Sequence, residues 1–458
     1  MLIRNNMEEL VARSEGIQWT NKSVLMLAKG GDPIETVEKL ARDLVLRARD
    51  AGWQGPPFNP VAIADLLKIS IEANANVADA CIMPLDNGYR IQFNPTQARE
   101  RVRFSIAHEL AHTLFPDVAK EVRNRGGNKF VADDWQLEML CNLAASEFVM
   151  PIGALPSREH LPSLEELMIE RRKFDVSAEA FLIRITKVAK EPVVMFCASP
   201  VDQSNGNKAY RVDYAVASKS APHFPIAGKK VPSNSCVYSC KAIGFTDHKN
   251  ENWLSHPGVA VECVGIPSYP GSTLPRVAGL VRFSQSESKG ETIRFVQGDV
   301  LEPRGDGPTV ICQLVNDQAR FWGGGVAKLV GKKYPKAHKE FSLWITGIPR
   351  AKRLGEVHFA EANDSTVVAS LVGQEGFGPS LTPRIRYTAL EHCFEKLSDF
   401  ASKRAATVHM PRVGAGQAGG SWDTVEEIVQ DTLVTDGIPV TVYDLPPKRM
   451  PATLGLFD

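Results

Sequence analysis

The chain has 458 residues, of which 43% are hydrophobic and 23% are charged, and its 53 basic side chains balance 53 acidic ones. One hydrophobic core rarely organises a chain of this length, so we expect two or three domains. The ordinary composition excludes a disordered or fibrous protein. The balanced charge excludes a general attraction to nucleic acid or to an anionic membrane, and no local segment gives a direct nucleic-acid signal.

Neither a membrane segment nor a secretory signal is predicted. No apolar run is long enough to span a bilayer, and residues 1–16 lack the apolar core of a signal peptide. The eight cysteines are spread over the chain without a CxxC pair, which is typical of reduced thiols in a core. We therefore expect a cytoplasmic protein with no membrane partner.

The first part of the chain is predicted to be mainly helical. Asp32-Pro33 is a helix start, with proline at the first helical position, and apolar residues then recur at helical spacing up to Gly52. We assign residues 1–56 to an N-terminal helical extension. Beyond it the pattern predicts a short helix over 61–67, a hairpin turn at Asn87-Gly88, a strand over 89–93, and helices from 101 to about 190.

Residues 191–285 differ because short strands replace the helices. Strand-like runs lie at 193–197, 259–264 and 277–283, and no catalytic constellation appears among them. We assign 200–285 to a β-rich segment of unknown role. Small polar residues over 284–290 predict a linker.

The C-terminal part has the pattern of an α/β domain over 291–447, because strand-like runs alternate with helical stretches. The predicted strands cover 293–296, 310–314, 367–372 and 440–443. Residues 448–458 form a tail. The sequence thus predicts two chemically distinct parts on either side of the β-rich segment.

A metal-binding motif lies in the helical part. The sequence His108-Glu109-Leu110-Ala111-His112 is an HExxH motif, and on a helix its two histidines share one face. A zinc hydrolase uses three protein ligands and leaves one position for a water that the metal acidifies. His108 and His112 are therefore expected to bind Zn²⁺, and Glu109 is the expected general base.

A third ligand is expected from a neighbouring helix. Glu138 lies 26 positions after His112 (138 minus 112), and Asn142 follows one turn later, where it is suited to orient a ligand. Glu147 on the same helical run is the alternative ligand. Either glutamate would otherwise be an ordinary solvated side chain, and the spacing favours Glu138.

The segment resembles the ImmA/IrrE family of metallopeptidases, in which AHELAH precedes a helix that ends in Met-Pro, here Met150-Pro151. The resemblance covers about residues 57–195, and we assign 57–199 to this domain. It implies an α+β zincin-like fold and an intracellular protein substrate, often a transcriptional repressor. The implied site consists of His108, His112 and Glu138 as zinc ligands and Glu109 as the residue that activates water.

Two glycine-rich loops follow strands in the C-terminal part. The first is Gly323-Gly324-Gly325-Val326, and the second spans 414–420. Backbone amides in such loops can approach a diphosphate. One glycine run is usually only a turn, but two of them after strands indicate a binding site.

Together these features resemble the macro domain, the ADP-ribose-binding fold, over about residues 291–446. The resemblance implies that Asp299 contacts the adenine, that Asn316 lies near the distal ribose, and that both loops surround the diphosphate. The implied ligand-binding set is Gly298, Asp299, Val300, Asn316, Gly323, Gly324, Gly325, Val326, Gln374, Gly414, Gly416, Gly419 and Gly420.

Catalytic residues of that family are replaced here. The branch with ADP-ribosyl glycohydrolases carries a lysine and an aspartate where this sequence has Gln374 and Ala418, and another branch carries an aspartate where this sequence has Ala327. The resemblance therefore implies binding of ADP-ribose but not hydrolysis by those routes.

Two further groups of polar residues have no assigned role in ligand or metal binding: one has two alternative roles, and the other is interpreted as structural. One group either lines the ligand groove or forms a solvated helix start: Arg384, Arg386 and Tyr387. The other lacks metal-like spacing and is interpreted as structural: His358, His392 and His409.

The sequence predicts a zinc-dependent endopeptidase that cleaves a protein partner and carries a macro domain for ADP-ribose or an ADP-ribosylated target. The macro domain would regulate or direct the cleavage. The alternative is an ADP-ribosyl reader or glycohydrolase in which the zinc domain only recognises a partner. The overall expectation is an α+β zincin-like domain, a β-rich segment and an α/β macro domain.

Overall fold

A computed structural model describes residues 18–118, 123–124, 133–156, 160–202, 208–253, 256–269, 274–283, 293–305, 307–378, 380 and 382–445. The chain divides into two compact units. The described residues of the first lie within 18–48 and 53–283, and those of the second within 49–52 and 293–445. The predicted linker at 284–290 and the predicted tail at 448–458 lie outside the described residues.

The first unit begins with helices and a small sheet. Its helices are α1 (Lys22–Ala28), α2 (Pro33–Asp50), α3 (Val61–Leu67), α4 (Arg99–Ala111), α5 (Asp134–Val149), α6 (Leu164–Phe174) and α7 (Ala178–Val188). Its first sheet contains β1 (Ser70–Ala73), β2 (Ala80–Leu85), β3 (Gly88–Phe93) and β4 (Arg123–Asn124), in the order β1-β3-β2-β4. Strand β1 is parallel to β3, and the other neighbours are antiparallel.

Local capping explains where several of these helices start. The Asp32 carboxylate accepts hydrogen bonds from the backbone N–H groups of Ile34 (2.7 Å) and Glu35 (3.1 Å), which satisfies donors that the first turn leaves without partners. Ser163 and Glu166 form a reciprocal capping box at the start of α6. The start that Asp32-Pro33 predicts is therefore confirmed, since α2 begins at Pro33.

A second sheet follows within the same unit. It consists of β5 (Val193–Asp202), β6 (Lys208–Ala217), β7 (Thr246–Trp253), β8 (His256–Ile266) and β9 (Arg276–Arg282), all antiparallel, in the order β6-β5-β9-β8-β7. One face shares a hydrophobic core with the helices, through residues such as Met195 and Leu280. The other face forms its own core around Phe196 and Trp253. The boundary predicted at 199/200 falls inside β5.

The second unit contains a six-stranded sheet. Its strands are β10 (Arg294–Gln297), β11 (Thr309–Asn316), β12 (Val357–Glu361), β13 (Thr366–Gln374), β14 (Thr407–Pro411) and β15 (Val440–Asp444), in the order β10-β15-β14-β11-β13-β12. Only β12 is antiparallel to its neighbour. The α-helices are α8 (Gly325–Lys333), α9 (Pro335–Gly347), α10 (Tyr387–Arg404) and α11 (Trp422–Val429). Buried apolar strands alternating with helices give the predicted α/β pattern.

The structure refines the predicted elements at a few places. The hairpin between β2 and β3 pairs Leu85 with Gly88, so its turn residues are Asp86 and Asn87, one position earlier than predicted. Strands β12 and β14 were not predicted. The described residues contain no helix long and apolar enough to cross a membrane. Several sheets of mixed α/β character are thus present, in agreement with the general fold class expected.

Candidate functional site

The two histidines of the HExxH motif lie at the buried end of α4. All residues from Ser105 to Ala111 are buried, and His112 opens a 3-10 turn directly after the helix. The rings of His108 and His112 are 5.1 Å apart between centroids, and both side chains are almost completely excluded from solvent. The predicted helical spacing therefore brings the two imidazoles together.

Glu138 on α5 faces the same two rings. Its Oε2 lies 3.0 Å from His108 Nε2, and its Oε1 lies 3.8 Å from His112 Nε2. Glu147, the alternative ligand, is instead buried in an ion pair with Arg184 and accepts a hydrogen bond from the Ile152 backbone N–H. The geometry therefore favours Glu138 over Glu147 as the third member of the cluster.

The opposite nitrogen of each ring contacts helix α5 one turn after Glu138. Asn142 Oδ1 lies 2.9 Å from His108 Nδ1, and Cys141 Sγ lies 3.4 Å from His112 Nδ1. A partner at Nδ1 fixes the ring orientation, and an acceptor such as the Asn142 oxygen also fixes the tautomer that leaves Nε2 as the metal-binding atom. Asn142 therefore occupies the orienting position that the sequence suggested, whereas the role of Cys141 was missed.

Two donor sets can be drawn around this cluster. The ligand atoms of His108, His112 and Cys141 all lie within 4.8 Å of one another, so this buried group could hold a metal ion. However, Cys141 is nearest to Nδ1 of His112, while Glu138 spans Nε2 of both rings. A single ion bound by both Nε2 atoms suits Glu138 better, and two histidines with a carboxylate are a donor set typical of catalytic zinc. The residues present therefore fit the metal.

Glu109 is held by the first sheet. Its side chain is completely buried, and its Oε2 accepts a hydrogen bond of 3.0 Å from the backbone N–H of Ile82 in β2. A fixed carboxylate next to the metal-binding cluster is suited to accept a proton. This anchoring contact joins α4 to β2 and was not predictable from the motif.

The ligand-binding residues predicted in the second unit follow the carboxyl ends of four parallel strands, which meet at one edge of the sheet. Gly298, Asp299 and Val300 follow β10, Asn316 ends β11, Gln374 ends β13, and the loop with Gly414, Gly416, Gly419 and Gly420 follows β14. Gly323, Gly324, Gly325 and Val326 lead from β11 into α8. In open α/β sheets this edge is the usual ligand site.

Glycine is required at particular positions of the second loop. Gly414 has a φ of +80°, and a Cβ atom there would lie 2.3 Å from Cδ1 of Ile385. At Gly420 a Cβ atom would lie 2.9 Å from the carbonyl oxygen of Gly414. By contrast, a Cβ atom at Gly324 or Gly416 would meet nothing within 4 Å. The second loop thus needs glycine at 414 and 420 for its own packing, while the open positions in both loops leave room for a ligand.

Asp317 belongs to the candidate site although no sequence motif indicated it. It is buried, and its carboxylate accepts hydrogen bonds from the Gly376 backbone N–H (2.6 Å) and from Nε of Arg350 (2.7 Å). These contacts tie the loop after β11 to the loop after β13. Gln374 adds a hydrogen bond of 2.8 Å to the Gly376 carbonyl. The position of Asp317, directly after Asn316 at the end of β11, was the sequence signal that could have identified it.

The three polar residues that the sequence assigned either to the ligand groove or to a helix start form hydrogen bonds with nearby residues of the same unit. Arg384 donates to the Gly378 carbonyl, Arg386 pairs with Glu375, and the Tyr387 hydroxyl accepts from the Ser421 backbone N–H. Asp299 itself accepts a hydrogen bond of 2.9 Å from the Leu301 backbone N–H, as in a tight turn.

Histidines of the second unit contribute to packing. His358 packs against Phe341 and Trp344, and His409 lies between Thr407 and Tyr443. Burial lowers the pKa of His409 to about 4. Neither belongs to a group of metal-ligating side chains among the residues that the structure describes, and neither does His392.

Comparison with known proteins identifies the two parts separately. Residues 68–186 match the Peptidase_M78 family, described as the IrrE N-terminal-like domain. This stretch contains the complete histidine and glutamate cluster.

Other relatives match the macrodomain part. The macrodomain protein from Streptomyces coelicolor, a solved structure, is 35% identical and covers 33% of this chain and 98% of its own, with a TM-score of 0.29. Chromodomain-helicase-DNA-binding protein 1-like from Danio rerio is 29% identical over 171 residues, which are 36% of this chain and 16% of that protein. The chain thus spans less than a fifth of that relative.

A shorter relative matches over nearly its whole length. The ADP-ribose 1''-phosphate phosphatase of Candida albicans is 22% identical over 160 residues, which are 33% of this chain and 98% of that enzyme. These matches lie outside the peptidase stretch. The chain therefore carries an IrrE-like domain of the Peptidase_M78 family at residues 68–186 and belongs, through a separate part, to the macrodomain proteins.

Proposed function

We propose that this protein is a zinc-dependent endopeptidase whose macrodomain binds ADP-ribose or an ADP-ribosylated target and thereby directs or regulates cleavage of a protein partner. The observation that carries the proposal is the Glu138 carboxylate spanning Nε2 of His108 and His112, with Glu109 buried beside them. A transcriptional repressor is the partner class that the family resemblance suggests. The cytoplasm is the proposed location.

Zinc would be held by His108, His112 and Glu138, and when bound it would polarise the scissile carbonyl and acidify a water. Asn142 and Cys141 hold the two imidazole rings at their Nδ1 atoms. Both histidines must be neutral to bind a metal, and the Asn142 oxygen, which can only accept a hydrogen bond, selects the His108 tautomer that permits it.

Glu109 would perform the proton transfers. Its carboxylate accepts a proton from the attacking water and returns it to the amine that leaves when the peptide bond breaks. The Ile82 N–H bond to Oε2 keeps the carboxylate from rotating away. A preorganised base of this kind needs no rearrangement at the moment of reaction.

For the macrodomain, the proposed ligand contacts are the loops at the carboxyl ends of β10, β11, β13 and β14. The fungal relative named ADP-ribose 1''-phosphate phosphatase supports an ADP-ribose-type ligand. The replacements Ala327, Gln374 and Ala418 favour binding over hydrolysis by the routes known for the resembling families. We propose that Asp299 contacts the adenine and Asn316 the distal ribose.

One experiment tests both sites in the same preparation. Zinc content and ADP-ribose binding are measured on the full chain for wild type, His112→Ala and Asp299→Ala. The proposal requires that His112→Ala loses zinc but keeps ADP-ribose binding, and that Asp299→Ala shows the reverse. Wild-type protein that binds no zinc contradicts the peptidase assignment.

The second candidate function is removal or recognition of ADP-ribose, with the zinc domain serving only to recognise a partner. The name of the fungal relative, a phosphatase that acts on an ADP-ribose derivative, favours it. The Glu109→Gln variant discriminates the two. If it retains every activity of the wild-type protein and also removes ADP-ribose from a modified protein, the second candidate replaces the first.

A further inference from the structure

A cavity of about 200 Å³ lies on the second sheet of the first unit, in the segment without an assigned role. It is lined by Ser199, Pro200, Val201, Arg211, Asp213, Tyr269 and Arg276. This volume is below the range typical of drug-sized ligands, so it suits a small metabolite. None of these residues belongs to either site described above.

The cavity is built around a buried guanidinium group. Arg276 is only 5% exposed and forms two hydrogen bonds of 3.0 Å with the Glu179 carboxylate at the start of α7. Tyr269 stacks over the guanidinium at 4.0 Å. Burial alone would lower the pKa of Arg276, but the hydrogen bonds and charge of Glu179 raise it above its ordinary value, so the cation is permanent.

One donor of this buried side chain is not used. The Nε atom of Arg276 has no hydrogen-bond partner among the described residues, because the nearest carboxylate oxygen, Oδ2 of Asp213, lies 3.7 Å away. That oxygen already accepts a hydrogen bond of 2.5 Å from the Ser199 hydroxyl. A buried donor without a partner is costly, and a ligand oxygen would satisfy it once the side chains that cover it move aside.

A β-bulge places the charged residues in the cavity. Cys197 pairs with Tyr214 and Ala198 pairs with Val212, so Asp213 is the extra residue of β6. Two positions earlier, Arg211 is exposed and forms no ion pair with a residue that the structure describes. Bulges commonly re-aim side chains next to binding sites. The cavity therefore offers two guanidinium groups.

The charges restrict the class of ligand. Arg211 and the Nε of Arg276 favour an anionic oxygen group. The Asp213 carboxylate in the same wall would repel a second negative charge. Pro200, Val201 and the Tyr269 ring leave an apolar surface for the remainder of the ligand. We propose that this cavity binds a small monocarboxylate with an apolar or aromatic body, held by Arg211 and Arg276.

Isothermal titration calorimetry on the full chain tests the proposal with benzoate as the probe. The protein is first stripped of metal by a chelator, so that the HExxH site cannot bind the carboxylate. Acetate and isobutyrate cover smaller bodies, benzamide has the shape of benzoate without the charge, and phenylphosphonate carries more charge. We expect a dissociation constant of about 1 mM or below for at least one monocarboxylate.

Two variants locate the binding. Arg211→Gln should weaken the bound monocarboxylate about tenfold, whereas Arg172→Gln, which changes an exposed arginine of α6, should leave it unchanged. Excess ADP-ribose should not compete. Absence of binding at about 10 mM for all three monocarboxylates overturns the proposal. So does equal binding by benzamide, tighter binding by phenylphosphonate, or no effect of Arg211→Gln.

Discussion

The metal cluster and the glycine-loop site use different kinds of chemical group. In the first unit the relevant atoms are side-chain donors on α4 and α5, fixed by the partners Asn142, Cys141 and the Ile82 backbone. In the second unit the predicted ligand contacts are mainly backbone groups in loops that follow parallel strands. The first site depends on which side chains are present, and the glycine loops of the second site depend on where a Cβ atom is absent.

This difference decides how each site fails. Removing one side-chain group from the metal cluster removes a ligand or a base, and little else compensates for it. Removing a side chain from a backbone site changes less, but adding one can close the loop or displace it. Substitutions should therefore separate the metal cluster from the glycine loops by direction, with deletions affecting the cluster and additions affecting the loops. Within the second site, deletions should matter only at the side-chain contacts proposed for Asp299 and Asn316.

The largest expected effect is on catalysis by the first site. Glu109→Gln keeps the size of the buried side chain and its acceptor for the Ile82 N–H, but it removes the base. We expect peptide cleavage to fall by about 10³-fold, the usual contribution of a general base. Zinc content should match wild type, since Glu109 is not in the proposed donor set. Cleavage of a partner protein at the wild-type rate would contradict the assigned role.

The two glutamates of α5 should respond in opposite ways. Glu147 and Arg184 form a buried ion pair, so Glu147→Ala removes the carboxylate that balances a buried guanidinium and should cost about 3–5 kcal/mol of unfolding free energy. Glu138→Ala should instead lower zinc affinity by about 100-fold or more with a much smaller loss of stability. Chemical denaturation and zinc titration of both variants measure this. If only Glu147→Ala lost zinc, Glu147 would be the zinc ligand and Glu138 would not.

The parts of each site that could be predicted from the sequence are those whose residues lie close together in the chain. His108 and His112 are four positions apart on one helix, so the motif correctly predicted that their rings would meet. Cys141 and the Ile82 N–H reach the cluster through tertiary packing, which no spacing encodes. Arg276 becomes part of a cavity only because five strands pair and a bulge redirects Asp213.

Missed elements of the second unit have a similar cause. Strand β14 is short, with His409 at its centre and Pro411 at its end, so its sequence resembles a loop more than a strand. It becomes a central strand because it pairs with β11 and β15 over long sequence separations. Burial between neighbours, and not local propensity, determines its conformation. The loop that follows it was recognised only by its glycines.

Adding a methyl group to that loop tests whether backbone position matters there. Gly414→Ala places Cβ against Ile385 at a φ of +80° and should cost about 2 kcal/mol of stability along with ADP-ribose affinity. Gly416→Ala is the matched control for packing, because its Cβ meets nothing. It should leave stability within about 0.5 kcal/mol while weakening ADP-ribose, if the ligand approaches this backbone. Unchanged binding in both variants would remove the loop from the proposed site.

The last effect concerns the pH dependence of stability and arises from His409 in the second unit. His409 is 1% exposed, and burial lowers its pKa from 6.5 to about 4 in the folded state. The unfolded chain therefore takes up a proton between these pH values while the folded chain does not. The contribution of His409 to the free energy of unfolding is thus fully present above about pH 6.5 and declines as the pH falls.

Between pH 7 and pH 5 this residue alone should remove about 2 kcal/mol from the free energy of unfolding. The His409→Gln variant keeps a polar side chain between Thr407 and Tyr443 but cannot titrate, so its stability should change less over this range. Urea unfolding of both proteins at the two pH values measures the difference. Identical pH dependence in wild type and variant would show that His409 is not held neutral by burial. Because no titrating step of this kind is proposed for the glycine loops, ADP-ribose affinity should stay constant wherever the protein remains folded.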